Sequence, residues 1–503
     1  MKKTLVRQIA VICFFFYFGN HWLSSCAQES SSVEVLNTNE LIFEKIGNST
    51  IRKMIGNVIL KQDSTLLYCD SAYHNTDSKI INAFGHVKIE VPGQVAITCK
   101  QLTYLVAERR ADMHNDVSLT DGQTTLKTEH LIYLRGSQTA FYTTGGTLTN
   151  SDGLMKSQFG NYNTATKIAT FARKVELNNP DMRLISDSLV YETTPQTILF
   201  VSPTTIKNSE NQEIKTNKGR YFRKDKKLWL YQRSTVSNED YILTGDTLFF
   251  DDSLGTGFGR CNVVSWKKDS SGYIAGDKLV FKKQNKQALY TENPWMWMQM
   301  ESDTMMLVSD TLEVWNDSLN HKEYIHGWPH CQFVMTDLQG KSDSISYMTK
   351  DSLLRLYHKP VIWSAENQLT GDTISIWVKN KQPDSLFVSE NTFLISQVDS
   401  IGFNQIKSRW LHGKFINNQI VWLRFIGNAE SIYFSRDKNE VLGMNQSKSA
   451  GIFITLVNNK PSRIQFYKKP EAIFYPYFEV IDKLNRLDGF SWRLKERPTR
   501  WFP

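Results

Sequence analysis

One pattern of apolar and polar positions returns about a dozen times along this chain, roughly every 30 residues. It runs apolar residue, gap, small residue, polar residue, gap, apolar residue, gap and then usually an aromatic. Leu184-Ile185-Ser186-Asp187-Ser188-Leu189-Val190-Tyr191 is one copy. Aligned on the polar position, the anchors are Asp70, Lys100, Glu129, Ser157, Asp187, Asn217, Asp246, Asp277, Asp310, Asp343, Asp372 and, more loosely, Arg409. A fixed period of this length predicts an elongated stacked body in which each unit touches only its neighbours.

The third residue before the anchor is apolar in eleven of the twelve copies, as at Ile97, Leu126, Leu184 and Leu243, with Gly340 the exception. The second after it is apolar except at Gly219, and the fourth is usually apolar or aromatic: Leu102 and Tyr104, Leu131 and Tyr133, Leu189 and Tyr191, Leu248 and Phe250, Leu279 and Phe281. The latter two share a strand face because side chains alternate, whereas the former, at an odd offset, would point the other way on a straight strand. One interior collects both sets only if the chain bends at the anchor. Ser186-Asp187, Gly245-Asp246 and Gly371-Asp372 supply the residue types that bends require. A second phrase alternates after a turn signal: Val58 and Leu60, Val87 and Ile89, Val117 and Leu119, Val175 and Leu177. The expected fold class is all-β, an elongated repeat of short strands with two walls and an apolar inner seam. A helical solenoid is excluded, since the units lack a 3.6-residue period.

The N-terminus reads as an export signal over residues 1–26. Lys2, Lys3 and Arg7 precede an apolar stretch from Ile9 to Phe18, too short to span a bilayer comfortably. Leu23-Ser24-Ser25-Cys26 fits a lipobox, with Cys26 lipidated, and Ser25-Cys26-Ala27 fits ordinary cleavage; both stay open. Residues 27–50 form an N-terminal segment and 51–380 the repeat body. Less regular β-repeats follow over 381–476, and a basic, aromatic tail over 477–503, with a frayed terminus favoured for its end. Loss of the leader lowers the net charge from +8 to about +5, a mild basicity that suits a phosphorylated or acidic partner, with solvated surface the favoured account.

Cys69 and Cys99 occupy equivalent positions of successive units, one residue before the anchor. Directly stacked units would bring their backbones to about 5 Å, within disulfide range. Two buried thiols filling a corner is the other reading. No zinc spacing is present, and Pro329 within His326-Gly327-Trp328-Pro329-His330-Cys331 argues for a loop rather than a metal site. No catalytic residue, metal site or cofactor is expected: the recurring acids sit one per unit at corners, and no nucleotide loop or nucleophilic triad is visible.

The phrases quoted above, G-x-V-x-apolar followed by apolar-x-small-Asp-x-Leu-x-Tyr, resemble the OstA-like family that includes LptA. The resemblance is clear from Gly56 to Lys283 and continues weakly to about Trp377. It implies a β-jellyroll, or folded taco, of antiparallel strands whose inner seam holds the acyl chains of lipopolysaccharide. It also implies end-to-end strand pairing with like-folded transport proteins, in the periplasm or at the outer membrane, with a homo-oligomer as one form. On that basis the lipid-binding seam is expected at the alternating residues Val58 through Phe281 named above. The alternatives are a polysaccharide-binding or -cleaving parallel β-helix, and a transmembrane barrel, which the short units and polar corners disfavour. No nucleic-acid partner is expected.

Overall fold

A computed structural model describes residues 32–499, apart from short stretches within that range. The expected leader and Cys26 lie outside the described residues. Forty strands form one continuous sheet, and the strand pairings are antiparallel. This excludes the parallel β-helix alternative. Consecutive strands pair in chain order: Ser49–Gln62, Thr65–Asn75, Ile80–Val91, Val95–Leu105, Arg110–Thr120 and Thr125–Leu134. Each is a rung, long enough to bend at its middle and contribute to two walls. Elsewhere two short strands share one rung. Thr139–Tyr142 and Gly146–Asn150 pair with the two halves of Thr125–Leu134. One 30-residue unit is therefore an outgoing and a returning rung.

The bend is built as the alternation requires. At each anchor the ladder shifts register, as between Ile55 and Val58 opposite Asp70. The inserted residues are pairs in the left-handed region: Gly56–Asn57 (φ +80° and +49°), Gly85–His86 (+70° and +42°), Asn115–Asp116 (+65° and +53°) and Cys261–Asn262 (+58° and +52°). Gly85 is doubly constrained, because a Cβ there would lie 2.2 Å from Asp70 Oδ2. The anchor side chain points outward and pairs with the inserted residue of the next rung. His86 Nδ1 lies 2.8 Å from Asp70 Oδ2, Asn262 Nδ2 donates to Asp246 Oδ2 at 2.7 Å, and His330 Nδ1 lies 2.8 Å from Asp310 Oδ2. Where the anchor is basic the charges invert: Lys100 meets Asp116 of the next rung, and Arg409 Nε donates to Glu390 of the preceding one at 3.0 Å. The recurring acids are corner-formers.

Two corrections concern the cysteines and the tail. Cys69 and Cys99 are free buried thiols on Thr65–Asn75 and Val95–Leu105, with the rung Ile80–Val91 between them. Two ladder spacings, about 10 Å, separate their strands, so no disulfide forms. Burial pushes both thiols up to about 12. As far as it is described, to residue 499, the C-terminal tail is docked rather than frayed. After a short 3-10 turn, Tyr477–Glu479, the chain runs back across the outer face of one wall. There Gln339, Trp363, Gln368, Ile395, Gln405 and Ile432 form one cross-strand row. Gln405 Nε2 donates to Asn485 O at 2.7 Å, and its Oε1 accepts from Leu487 N at 2.9 Å. Gln368 repeats the grip on Ser491 O (2.7 Å) and Arg493 N (2.6 Å), and Arg497 Nε reaches Gln339 Oε1 at 2.8 Å. Leu487, Phe490 and Trp492 pack with Phe393, Ile395, Phe403, Ile432, Phe434 and Met444 in a small outer core.

Candidate functional site

The inward-facing side chains of both walls form the seam. Val58, Leu60, Val87, Ile89, Ile97, Leu102, Val117, Leu119, Leu126, Leu131, Tyr133, Val175, Leu177, Leu184, Leu189, Tyr191, Leu248 and Leu279 are all buried. Tyr104, Leu243, Phe250 and Phe281 are half-buried against the same cores. Every predicted seam residue thus faces the interior, although their contact with lipid is a separate matter. One apolar cluster runs from Met54 to Leu248 and a second from Val263 to Ile454, with Leu243 packed against both. The two walls interdigitate. Leu131, Leu184 and Leu248 have no exposed surface, and burial of each such side chain stabilises the fold by about 2 kcal/mol. The seam is closed along most of its length, and half-buried side chains packed against it are more frequent from Leu243 onwards than before it.

The turns that join successive rungs form two lips along the side opposite the corners. Lip one includes the turns holding Asp63, Asp121 and Glu210; lip two includes those holding Arg109, Arg135, Lys167 and Lys283. Polar contacts cross between them. Asp63 Oδ2 accepts from Arg135 Nη1 at 2.8 Å and lies 3.5 Å from Arg109 Nη2. Asp121 Oδ2 accepts from Lys167 Nζ at 2.8 Å and from Tyr162 OH at 2.6 Å. Asn150 Nδ2 donates to Tyr191 OH at 3.1 Å, Lys283 Nζ lies 2.8 Å from Glu210 Oε2, and Lys267 Nζ lies 2.8 Å from Glu323 Oε2. Each lip-one residue meets a lip-two partner tens of positions later in the chain, because twisted walls cross on a slant. Burial would raise the Asp121 carboxyl, but Lys167, Tyr162 and the amides of Thr124 and Gln123 bring it down to about 2. Burial also opposes the charge on Lys267, and the bond from Glu323 more than restores it, raising its pKa.

No sequence spacing announces these pairs, since their members sit on turns that only the twist brings together. A second group that sequence spacing missed is Asp112, His114 and His130, on the outer face of the wall that lip two ends. The two rings stack at 4.3 Å, and His130 Nε2 and His114 Nε2 lie 2.5 and 3.3 Å from Asp112 Oδ1. These donor atoms lie close enough to hold a metal ion. Arg110 Nη2, 3.2 Å from Asp112 Oδ2, already neutralises that carboxylate. No helix among the described residues is long and apolar enough to cross a membrane.

Both ends of the sheet are open edges. Among the described residues, Glu34–Asn37 and Glu40–Ile46 pair only with Ser49–Gln62, and Lys460–Tyr467 and Glu471–Pro476 only with Glu440–Val457. Phe43 and Ile46 at one end, and Ile473 and Phe474 at the other, are more than half exposed.

Residues 30–187 match the family model described as OstA-like protein. Residues 273–382 match the model of the LptA and LptD N-terminal domain lipopolysaccharide transport proteins. The rungs between the two matches continue the same pattern without a break. Among solved structures, the chain is similar to LptH, the LptA-homologous periplasmic component of the lipopolysaccharide transport device of Pseudomonas aeruginosa. The identity is 14%, over 21% of this chain and 74% of that one, with a TM-score of 0.19, too slight a likeness to bear on the argument. No curated protein matches. These families are transport proteins, not enzymes. The two matches, on one bent-rung antiparallel body, identify residues 30–187 and 273–382 of this chain with the OstA-like lipopolysaccharide-transport family.

Proposed function

We propose that this protein is a periplasmic carrier or bridge segment that takes the acyl chains of lipopolysaccharide into its seam and passes the lipid towards the outer membrane. The observation that carries the reading is the lengthwise row of inward apolar side chains, unbroken in kind from Met54 to Ile454. Transfer of an acyl chain from water to such a surface is favourable by about 0.8 kcal/mol per methylene. A chain of a dozen carbons thereby gains enough to offset the parting of interdigitated walls over a few rungs. Loading begins where the seam is less closed, from Leu243 and Phe281 onwards. The exposed end rungs, with unpaired backbone and apolar side chains, suit strand addition by like-folded partners or a second copy. The export leader read from the sequence supports a periplasmic setting, with outer-membrane attachment through Cys26 as its lipidated form.

Site-specific photocrosslinking in cells tests this. A photoreactive residue at Phe281 should capture lipopolysaccharide strongly, one at buried Leu189 less, and one at outward-facing Ile185 not at all. Equal capture at all three positions, or none at Phe281 in a folded variant, would overturn the proposal.

A further inference from the structure

The lips differ in charge as well as position. From Asp63 to Asp240 the described lip-one turns carry Asp63, Asp121, Asp181, Glu210, Glu239 and Asp240 and no lysine or arginine. The lip-two turns opposite carry Lys79, Arg109, Arg135, Lys167, Arg223, Lys224, Lys226, Lys283 and Lys286, against fewer acids: Asp77, Glu108, Asp225 and Asp252. Three cross-lip pairings use this asymmetry in the same sense, with the carboxylate on lip one: Asp63 with Arg135 and Arg109, Asp121 with Lys167, and Glu210 with Lys283. The sense reverses at Lys267 and Glu323. Arg223 adds a further cation at the rim of a small recess, over Leu148, Met155, Leu177, Tyr191 and Ile198. A cation above an apolar recess is the arrangement an amphiphile with an anionic head requires.

We infer that the lip-two cations Arg135, Lys167, Arg223 and Lys283 form a phosphate-binding row for the headgroup of an acylated, phosphorylated lipid. The inference rests on the carriage reading, since it is the acyl chains in the seam that hold the headgroup at the lip. A phosphate cannot follow those chains inward, because burying its charge without partners is prohibitive. It stays at the rim, where guanidinium and ammonium groups already wait. In the closed seam, lip-one carboxylates neutralise Arg135, Lys167 and Lys283 and latch the walls together. Loading exchanges carboxylate for phosphate, so the step that opens the lips also binds the head. The released Glu210 returns to water readily, being half exposed. Asp121, with only 4% of its side-chain surface exposed, is the firmest latch.

The test uses the purified mature chain with three probes: bisphosphorylated lipid A, the same lipid A stripped of phosphate, and inorganic phosphate. The unaltered protein should bind the bisphosphorylated lipid roughly tenfold more tightly than the stripped one, as one or two charge-assisted bonds would give. Combined Arg135→Gln, Lys167→Gln and Lys283→Gln should erase that preference while binding of the stripped lipid persists. Combined Asp63→Asn, Asp121→Asn and Glu210→Gln should load the bisphosphorylated lipid faster than the unaltered protein. Equal affinity of the unaltered protein for both lipids overturns the inference and leaves carriage standing. Failure to bind either lipid removes carriage itself. Binding of inorganic phosphate as tight as that of the lipid would make the row a free-anion site and overturn the headgroup assignment. The lipid comparison on unaltered protein decides the matter even if a variant misfolds.

Discussion

The first half of the body and its C-terminal third are built from the same rung, yet they bury different faces. Rungs such as Arg110–Thr120 and Ile168–Asn178 have 11 residues, point their apolar side chains inward and leave polar ones outside. In the C-terminal third, Gln382–Gln397, Gln419–Asp437 and Glu440–Val457 have 16, 19 and 18 residues. Their wall carries Phe393, Ile395, Phe403, Ile432 and Phe434 on the outside, where the chain's own tail covers them. The inner seam is thus the shared property of the repeat, and the outer core is a local addition. Where the outside is polar, stability rests on the seam and its lips. Where the outside is apolar, it rests also on a segment more than 80 residues away in sequence from the strand it covers.

This contrast can be broken from either side. The largest effect is expected at Phe403, which packs on both Phe490 and Trp492 with ring centroids 5.4 and 5.2 Å apart. Phe403→Ala should cost about 3–5 kcal/mol by denaturant unfolding. Hydrogen exchange should then show the tail from Asn485 to Trp492 losing protection while the seam around Leu131 keeps its own. Equal loss in both would mean that the two cores are one. A smaller change, Gln405→Ala, leaves the buried Asn485 carbonyl and Leu487 amide without their partner and should cost about 2 kcal/mol, with the same regional signature.

The lip side gives the smallest and most specific effect. Asp121 has its pKa held at about 2, below its ordinary value of 3.8. A carboxyl depressed on folding contributes stability that is fully present above the unfolded pKa and is lost as pH falls towards the folded one. The Asp121 latch should therefore stabilise the protein by on the order of 1–2 kcal/mol at neutral pH and fade between about pH 4 and 2. Asp121→Asn should flatten the stability profile in that window, and a profile identical to the parent's would show that the latch does not hold the lips.

Much of this architecture was legible in the chain. The offset between Leu184 and the pair Leu189 and Tyr191 demanded a bend at Asp187, because strand alternation admits no other way to bury all three together. The seam residues followed from that one argument. Cys69 and Cys99 misled because a 30-residue period looks like one layer, whereas it holds two rungs and the returning one separates the thiols. The lips were invisible for a different reason. Asp63 and Arg135 meet through accumulated sheet twist, a global angle that no local pattern encodes. The docked tail likewise depends on outward-facing glutamines that read, one by one, as ordinary solvated positions.

The slant between the walls has a mechanical outcome. Asp63 is fastened to turns 46 and 72 positions downstream, and Glu210 to one 73 positions away, so each clasp spans several neighbouring layers. Prising one apart strains those on either side, and closing one draws its neighbours shut. A passenger travelling along such a body would carry a short dilated zone with it, as a slider does on a zip fastener, and leave the track dry behind.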